Sequence, residues 1–190
     1  MQDVAPVVAR SLGSDLRALR RTRGLTLVAA SKELGRSVGW LSQVERDISE
    51  PSIEDLKDLA RLLDVPLSMF FGAAPAPAGE DGLIVRKGAR RSIGTRMTGL
   101  AEELLSPDLT DDFEMVRSVF EPGAILAEPV RRPTQELGFV LSGRLDLVVD
   151  GRDFTVGPGD SFRIRAVPFT WANPYSEPAV AIWVIAPPVY

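Results

Sequence analysis

The chain has 190 residues, 22 basic and 26 acidic, for a net charge of −4, and 45% of its residues are hydrophobic. That is room for one large domain or two small ones, with enough apolar material for a core. It contains no Cys and no His, which excludes disulfides, thiol chemistry and metal sites built on either residue. No run of about eighteen apolar residues is present, so no membrane-spanning helix is expected. Nor does the opening MQDVAPVVAR read as a secretory signal. A cytoplasmic protein is expected.

Charge is unevenly placed along the first third. Residues 10–36 carry seven basic residues against two acidic ones, a net +5, and residues 45–64 carry a net −4. One small domain would then have a basic face suited to phosphates and an acidic one.

After a loose leader, residues 1–9, Leu12, Leu16 and Leu19 fall at helical spacing, with Ser11 or Ser14 as cap. Gly24 suits a left-handed helix end. Thr26 caps a second short helix, Leu27–Leu34, closed by Gly35. Ser37 caps a third, whose apolar face is Trp40, Leu41 and Val44. Ser52 and Asp55 form a capping pair for a fourth, with Ile53, Leu56, Leu59, Ala60 and Leu63 periodic. Val65-Pro66 breaks it, and Leu67–Phe71 is expected as a fifth short turn or helix. A tight Gly-containing joint between the second and third helices is a helix-turn-helix layout.

Residues 25–71, LTLVAASKELGRSVGWLSQVERDISEPSIEDLKDLARLLDVPLSMFF, closely resemble the Xre-type, phage-repressor-like helix-turn-helix family. Leu25-Thr26, Leu34-Gly35, Ser37, Leu41-Ser42, Glu45-Arg46, Pro51 and Leu56 carry the match; Ala30-Ser31 departs from the usual Leu-Ala. The resemblance implies a helix beginning at Ser37 that enters the major groove of double-stranded operator DNA. Val38, Gly39, Ser42 and Gln43 would face bases and Ser37 the backbone. Gln43 is the expected main reader, since its amide pairs bidentately with adenine. Thr26, Arg17, Arg36 and Arg46, with Arg20, Arg21, Arg23 and Lys32, are candidate backbone contacts. Glu45 is expected to brace the fold. Such proteins bind as dimers on half-sites roughly 34 Å apart.

GAAPAPAGEDG, residues 72–82, reads as a connector. Beyond it, short strand-like runs are punctuated by Gly and Pro: Leu83–Arg86, Arg91–Ile93, Arg96–Leu100, Met115–Glu121, Glu136–Leu141, Arg144–Val149, Phe154–Val156, Asp160–Ile164, Phe169–Asn173 and Ala179–Ile185. Asp150-Gly151 reads as a hairpin turn. The expected domains are thus 10–71, DNA-binding; 72–82, linker; and 83–190, sensor.

Residues 137–174 resemble a cupin, the small jelly-roll barrel. Glu136 and Gly143 fit its first motif; Gly151, Gly157-Pro158-Gly159-Asp160, Phe169 and Asn173 fit its second. The resemblance covers residues 115–187. Metal-binding cupins use several His and one Glu. Phe169 stands where the second-motif His would be, and the first-motif His pair would fall in Pro129–Arg132, where there is none. No metal and no cofactor are expected. By the same analogy Arg131, Arg132, Glu136, Phe169, Trp171 and Asn173 would line a metal-free effector site for an amino acid or other small polar metabolite. The alternative is a filled barrel, with Phe169 and Trp171 as core and Glu136 in an ion pair.

The expected architecture is therefore a five-helix helix-turn-helix domain followed by a cupin jelly-roll β-barrel. The expected protein is a homodimeric, sequence-specific transcriptional regulator answering to a small molecule, and not an enzyme. The rival reading is a metal-independent cupin enzyme fused to a DNA-binding domain, working through Glu136.

Overall fold

A computed structural model describes residues 11–70, 77, 79, 80, 82–93, 97–107, 109 and 111–189. The expected leader and most of the expected linker lie outside the described residues. The chain divides into two compact units, the first reaching to Arg91 and the second holding Ser92–Ser106 and Asp111–Val189.

The first unit has four α-helices among the described residues: α1 (Leu12–Thr22), α2 (Leu27–Glu33), α3 (Val38–Val44) and α4 (Ile53–Leu63). Each is opened by a hydroxyl that accepts the backbone N–H three residues on: Ser11, Thr26, Ser37 and Ser52. At α1 and α4 the return bond is also made, with Ser14 and Asp55 accepting from the cap's own N–H, so each of these ends carries a capping box. Gly24 and Gly35 sit at φ +67° and +62°, which turn the chain sharply before α2 and α3. Leu16, Leu19, Ala30, Leu41, Val44, Leu56, Leu59 and Leu63 form the core.

The expected fifth helix is instead a single 3-10 turn, Leu67–Met69, and Phe71 lies outside the described residues. Pro66 accepts from Met69 and Leu67 from Phe70, a three-residue spacing. Met69 and Phe70 still plug the core.

A buried ion pair clamps α1 to the end of α3. Arg20 Nε lies 2.5 Å from Glu45 Oε1 and Nη2 2.8 Å from Oε2, while Nη1 donates to Leu25 O at 2.6 Å. Glu45 thus braces the fold as expected. Gly13 adds a close approach, since a Cβ there would lie 2.5 Å from Val44 O. Its N–H instead donates to Asp47.

The second unit is two sheets. The larger runs in the order β1 (Arg91–Ser92), β2 (Leu100–Leu104), β3 (Glu114–Phe120), β10 (Ala179–Ala186), β5 (Gln135–Ser142), β8 (Ser161–Arg165). The smaller runs β4 (Ile125–Val130), β9 (Phe169–Ala172), β6 (Leu145–Val149), β7 (Arg152–Val156). Asp150 and Gly151, at φ +51° and +72°, make the β6–β7 turn as expected. Leu83–Arg86 is not a strand. Leu83 and Ile84 both donate to Glu80 O, their side chains are exposed, and a 3-10 turn follows at Lys87–Ala89. Of the strand expected at Arg96–Leu100, residue 96 lies outside the described residues, residues 97–99 form a bend and turn, and β2 begins at Leu100. Strand β4 was not foreseen; Pro129 within it is tolerated because β4 lies at a sheet edge and its pairing is interrupted between Leu126 and Val130.

Glu45→Ala leaves the Arg20 guanidinium buried and unpaired. It is expected to cost about 3–5 kcal/mol of stability, read as a lowered urea midpoint, whereas truncating exposed Glu33 leaves the midpoint within about 0.5 kcal/mol of the parent.

Candidate DNA interface and sensor site

In the first unit, the residues expected to meet DNA share exposure. Thr26, Ser37, Val38, Gly39, Gln43, Arg17, Arg36 and Arg46 are exposed and Ser42 is half-buried. The capping of α3 by Ser37 spends a hydroxyl lone pair on Trp40 N–H and keeps the O–H proton available for a phosphate. Thr26 caps α2 through Ala29 N–H in the same way. On α3 the buried side is Leu41 and Val44, which turns Val38, Gly39, Ser42 and Gln43 outward. Trp40 is half-buried, with Arg36 above its ring at 5.2 Å.

The arginines divide. Arg20 is buried against Glu45, and Arg23 donates to Leu63 O and Asp64 O at the end of α4. Both brace the helices rather than offer a phosphate contact. Arg36 is exposed but not idle: its Nη2 lies 2.5 Å from Asp55 Oδ1. The Ser52 hydroxyl, and behind it Arg36, hold the Asp55 carboxyl below the usual range, against the cost of burial. Arg46 folds back on Ser42 O at 3.0 Å. Sequence reasoning missed Ser49, whose hydroxyl donates to Gln43 Oε1 at 3.0 Å. That bond sets which end of the amide is the acceptor. Only the loop that returns after α3 brings the two together.

In the second unit, three of the expected effector residues meet. Glu136 is buried, accepts from Thr134 Oγ1 at 2.8 Å, and lies 3.6 Å from Arg132. Arg132 in turn lies over the Phe169 ring at 5.9 Å. The other three do other work. Arg131 donates to Ala166 O at 2.8 Å. Trp171 packs edge-on against Phe120, centroids 4.7 Å apart. Asn173 is fully buried, and its amide is satisfied by Phe120 O, Glu177 O and Tyr175 N–H. Both amide N–H groups and one Oδ1 lone pair are spent on backbone groups, so Asn173 locks the turn before β10.

Two further carboxyl groups were missed. Glu114 on β3 is inward and buried, accepting from Val189 N–H at 3.0 Å. Glu102 on β2 pairs in register with Ser118 and accepts from its hydroxyl at 2.7 Å. Alternation gives the signal in retrospect: Glu114 has the parity of Val116 and Phe120, and Glu102 that of Leu100 and Leu104. Burial pushes the Glu114 carboxyl up to about 7; Glu102 and Glu136 add to the rise, while Val189 N–H and Arg132 oppose it. Among the described residues no group of three or more acidic side chains is placed to hold a metal ion. The residues present do not fit the metal of metal-binding cupins, since Phe169 occupies a ligand position and the chain has no His.

Comparison with known proteins places both units. Residues 11–69 match the helix-turn-helix domain family and residues 116–185 the cupin domain family. Transcriptional regulator ClgR of Mycobacterium tuberculosis is 30% identical over 105 residues, 55% of this chain and 94% of that protein. The chain belongs to the helix-turn-helix transcriptional regulators, here with a cupin domain. HTH-type transcriptional regulator PuuR of Escherichia coli is 26% identical over 165 residues, 85% of this chain and 86% of that one. A crystal structure of an HTH_3 family transcriptional regulator from Vibrio cholerae aligns over 94% of this chain and 96% of its own, at 24% identity and a TM-score of 0.45. This chain is accordingly a DNA-binding regulator, and none of its described helices is long and apolar enough to cross a membrane.

The raised Glu114 fixes a pH dependence for this regulator. From about 4.5 to about 7 the folded chain keeps a proton that the unfolded chain has lost. Stability therefore falls as pH rises through that window and is flat above it. Glu114→Gln is expected to remove this slope and to gain on the order of 3 kcal/mol over the parent at pH 8. Urea unfolding at pH 5 and pH 8 measures it.

Proposed function

We propose that the chain is a cytoplasmic, homodimeric regulator that reads an operator with α3 and answers to a small amine-bearing metabolite, such as an amino acid, held in its cupin unit. The observation that carries the DNA reading is the outward row Val38, Gly39, Ser42 and Gln43 on a helix whose far end is clamped by Arg20 and Glu45. Gln43 reads adenine, with Ser49 holding its Oε1 so that Nε2 donates to N7 and the remaining lone pair accepts from N6. Val38 offers its methyls to thymine. Ser37, Thr26, Arg17 and Arg46 take phosphates, and Arg36 contributes while paired to Asp55.

The sensing reading rests on charge. Glu102, Glu114 and Glu136 point to the inside of the cupin unit, with Arg132 beside Glu136 and acting on Glu114. An incoming ammonium would find a carboxylate at Glu136, and the ring of Phe169 would lie beside it. An effector that binds one arrangement of the dimer better than another shifts the pair of α3 helices into or out of half-site spacing. The Arg132–Glu136–Phe169 grouping favours a ligand that also carries a carboxylate, which an arginine fork holds.

Two measurements test these readings. Genomic fragments selected by the full chain at physiological salt are expected to yield a two-fold symmetric site. On it Gln43→Ala should lose about 1–3 kcal/mol and relax one base pair per half-site. Ser49→Ala should relax that same base pair with an unchanged melting temperature, and Ser49→Thr should restore it. Wild-type discrimination by Gln43→Ala would sink the assignment of α3. In thermal melts against panels of amines, amino acids and carboxylic acids, the amine-bearing compounds alone are expected to raise the melting temperature of the full chain. Glu136→Gln should abolish that rise, and turnover of any compound would point to an enzyme instead.

A further inference from the structure

A sheet ends in a strand whose backbone N–H and C=O groups are paired on one side only, and folded chains usually blunt such an edge. The two sheets of the second unit have four edges: β1 and β8 on the larger, β4 and β7 on the smaller. Three of them are blunted among the described residues. Strand β1 is two residues long. Strand β4 carries Pro129, and its pairing is broken between Leu126 and Val130. Strand β8 sets Arg163 and Arg165, both exposed, on one side of the strand, two like charges that an incoming chain would have to meet. Strand β7 has none of these devices. Its five residues keep an unbroken register with β6, from Arg152 opposite Val149 to Val156 opposite Leu145, without proline or bulge.

The interior is open along this edge. Phe154 stands opposite Leu147, which is buried, so both side chains belong to the inner side of the sheet. Yet Leu147 is 2% exposed and Phe154 46%. The inward ring is left in water because the sheet stops at β7. On the outer side, Asp153 stands opposite Val148 and Thr155 opposite Asp146. Both β7 residues are exposed, and Thr155 donates to Asp146 Oδ1 at 2.7 Å. They belong to a groove of about 460 Å³ whose lining holds two carboxylates, Asp146 and Asp153, and no basic residue.

We propose that β7 is a docking edge for an extended segment of a partner protein, which adds a fifth strand to the smaller sheet and alternates apolar with basic side chains. The partner's backbone takes up the unpaired groups of β7 and supplies affinity, while its side chains supply the choice. Every neighbouring pair in this sheet is antiparallel, and the added strand continues that order. The edge then dictates the pattern position by position. Opposite Phe154 and Val156, on the inner side, an apolar residue covers the open ring. Opposite Asp153 and Thr155, on the outer side, a lysine or arginine meets the groove with its two carboxylates. Opposite Arg152 an acidic residue fits. A segment acidic on its outer side puts like charges together there. This surface shares no residue with the DNA-reading row or with the grouping around Glu136, so it is tested independently of both.

The probe is a capped peptide, Ser-Val-Arg-Val-Lys-Glu-Ser. Run antiparallel to β7, it places Val opposite Val156 and Phe154, Arg opposite Thr155, Lys opposite Asp153 and Glu opposite Arg152. Titrated into the isotope-labelled full chain, it should shift the backbone amide resonances of Arg152–Val156 and slow their hydrogen exchange, with half-saturation below about 1 mM. A charge-reversed peptide, Ser-Val-Glu-Val-Glu-Lys-Ser, should bind about 5-fold more weakly or worse. Pro in place of the central Val removes a backbone donor and should abolish binding. Asp153→Lys, at an exposed position, should leave the melting temperature unchanged and reverse the preference between the two charged peptides. No shift at β7 with peptide up to about 5 mM would overturn the proposal. So would equal binding of the two charge patterns, or shifts centred on β8 or β4.

Discussion

The helical unit depends on the pair between Arg20 and Glu45. Both side chains are buried, and two charges are removed from water only at considerable cost. That cost is offset by geometry: two parallel N–H···O bonds to one carboxylate and a third from the same guanidinium to Leu25 O. Those three bonds tie α1, the loop before α2 and the residue that ends α3. Helix α3 is only seven residues long and would not hold its shape alone. Clamped at its C-terminal end and capped by Ser37 at the other, it presents its outer row as a rigid edge. A hydrophobic pair at the same place could match the stability, but not the directional hold on three segments.

The cupin unit solves a different problem with the same chemistry. Its interior is apolar where Phe120, Trp171, Leu145 and Leu147 pack. Elsewhere it is polar, with Glu114 and Glu136 buried and Glu102, Thr134 and Arg132 close to them in the hydrogen-bond and ion-pair pattern. Carboxyl groups in such surroundings either find partners or keep their protons. Glu136 has Thr134 and Arg132. Glu114 has a single backbone N–H and keeps its proton to near neutrality.

Gly138 shows how tightly that interior is fitted. A Cβ on it would fall 2.1 Å from the ring of Phe162, which lies edge-on to Trp183 with centroids 5.0 Å apart. The glycine gives the ring its place inside, and the neighbouring Leu137 and Phe139 turn outward by the simple alternation of a strand. Inner packing and outer surface on β5 are therefore one decision, made by a residue without a side chain.

Much of this was legible from local rules. The four N-caps, the glycines before α2 and α3, the hairpin at Asp150-Gly151 and the parity of most strands depend on neighbours within a few residues. A linear pattern carries such information directly. The outward side of α3 was legible for the same reason, since helical periodicity separates buried Leu41 and Val44 from exposed Val38 and Gln43. What local patterns could not decide was which charges find each other. Arg20, Arg23 and Arg36 read alike in a basic stretch, yet one is buried on Glu45, one holds carbonyls at the end of α4, and one leans on Asp55. Asn173 reads as a ligand residue until the turn that consumes its amide is in place. Strand β4, the turn at Leu67–Met69 and the irregular Leu83–Arg86 depend on whether a partner strand or a further helical turn is at hand. Ion pairs and strand edges are contacts between residues distant in the chain, and only the tertiary fold brings those residues together.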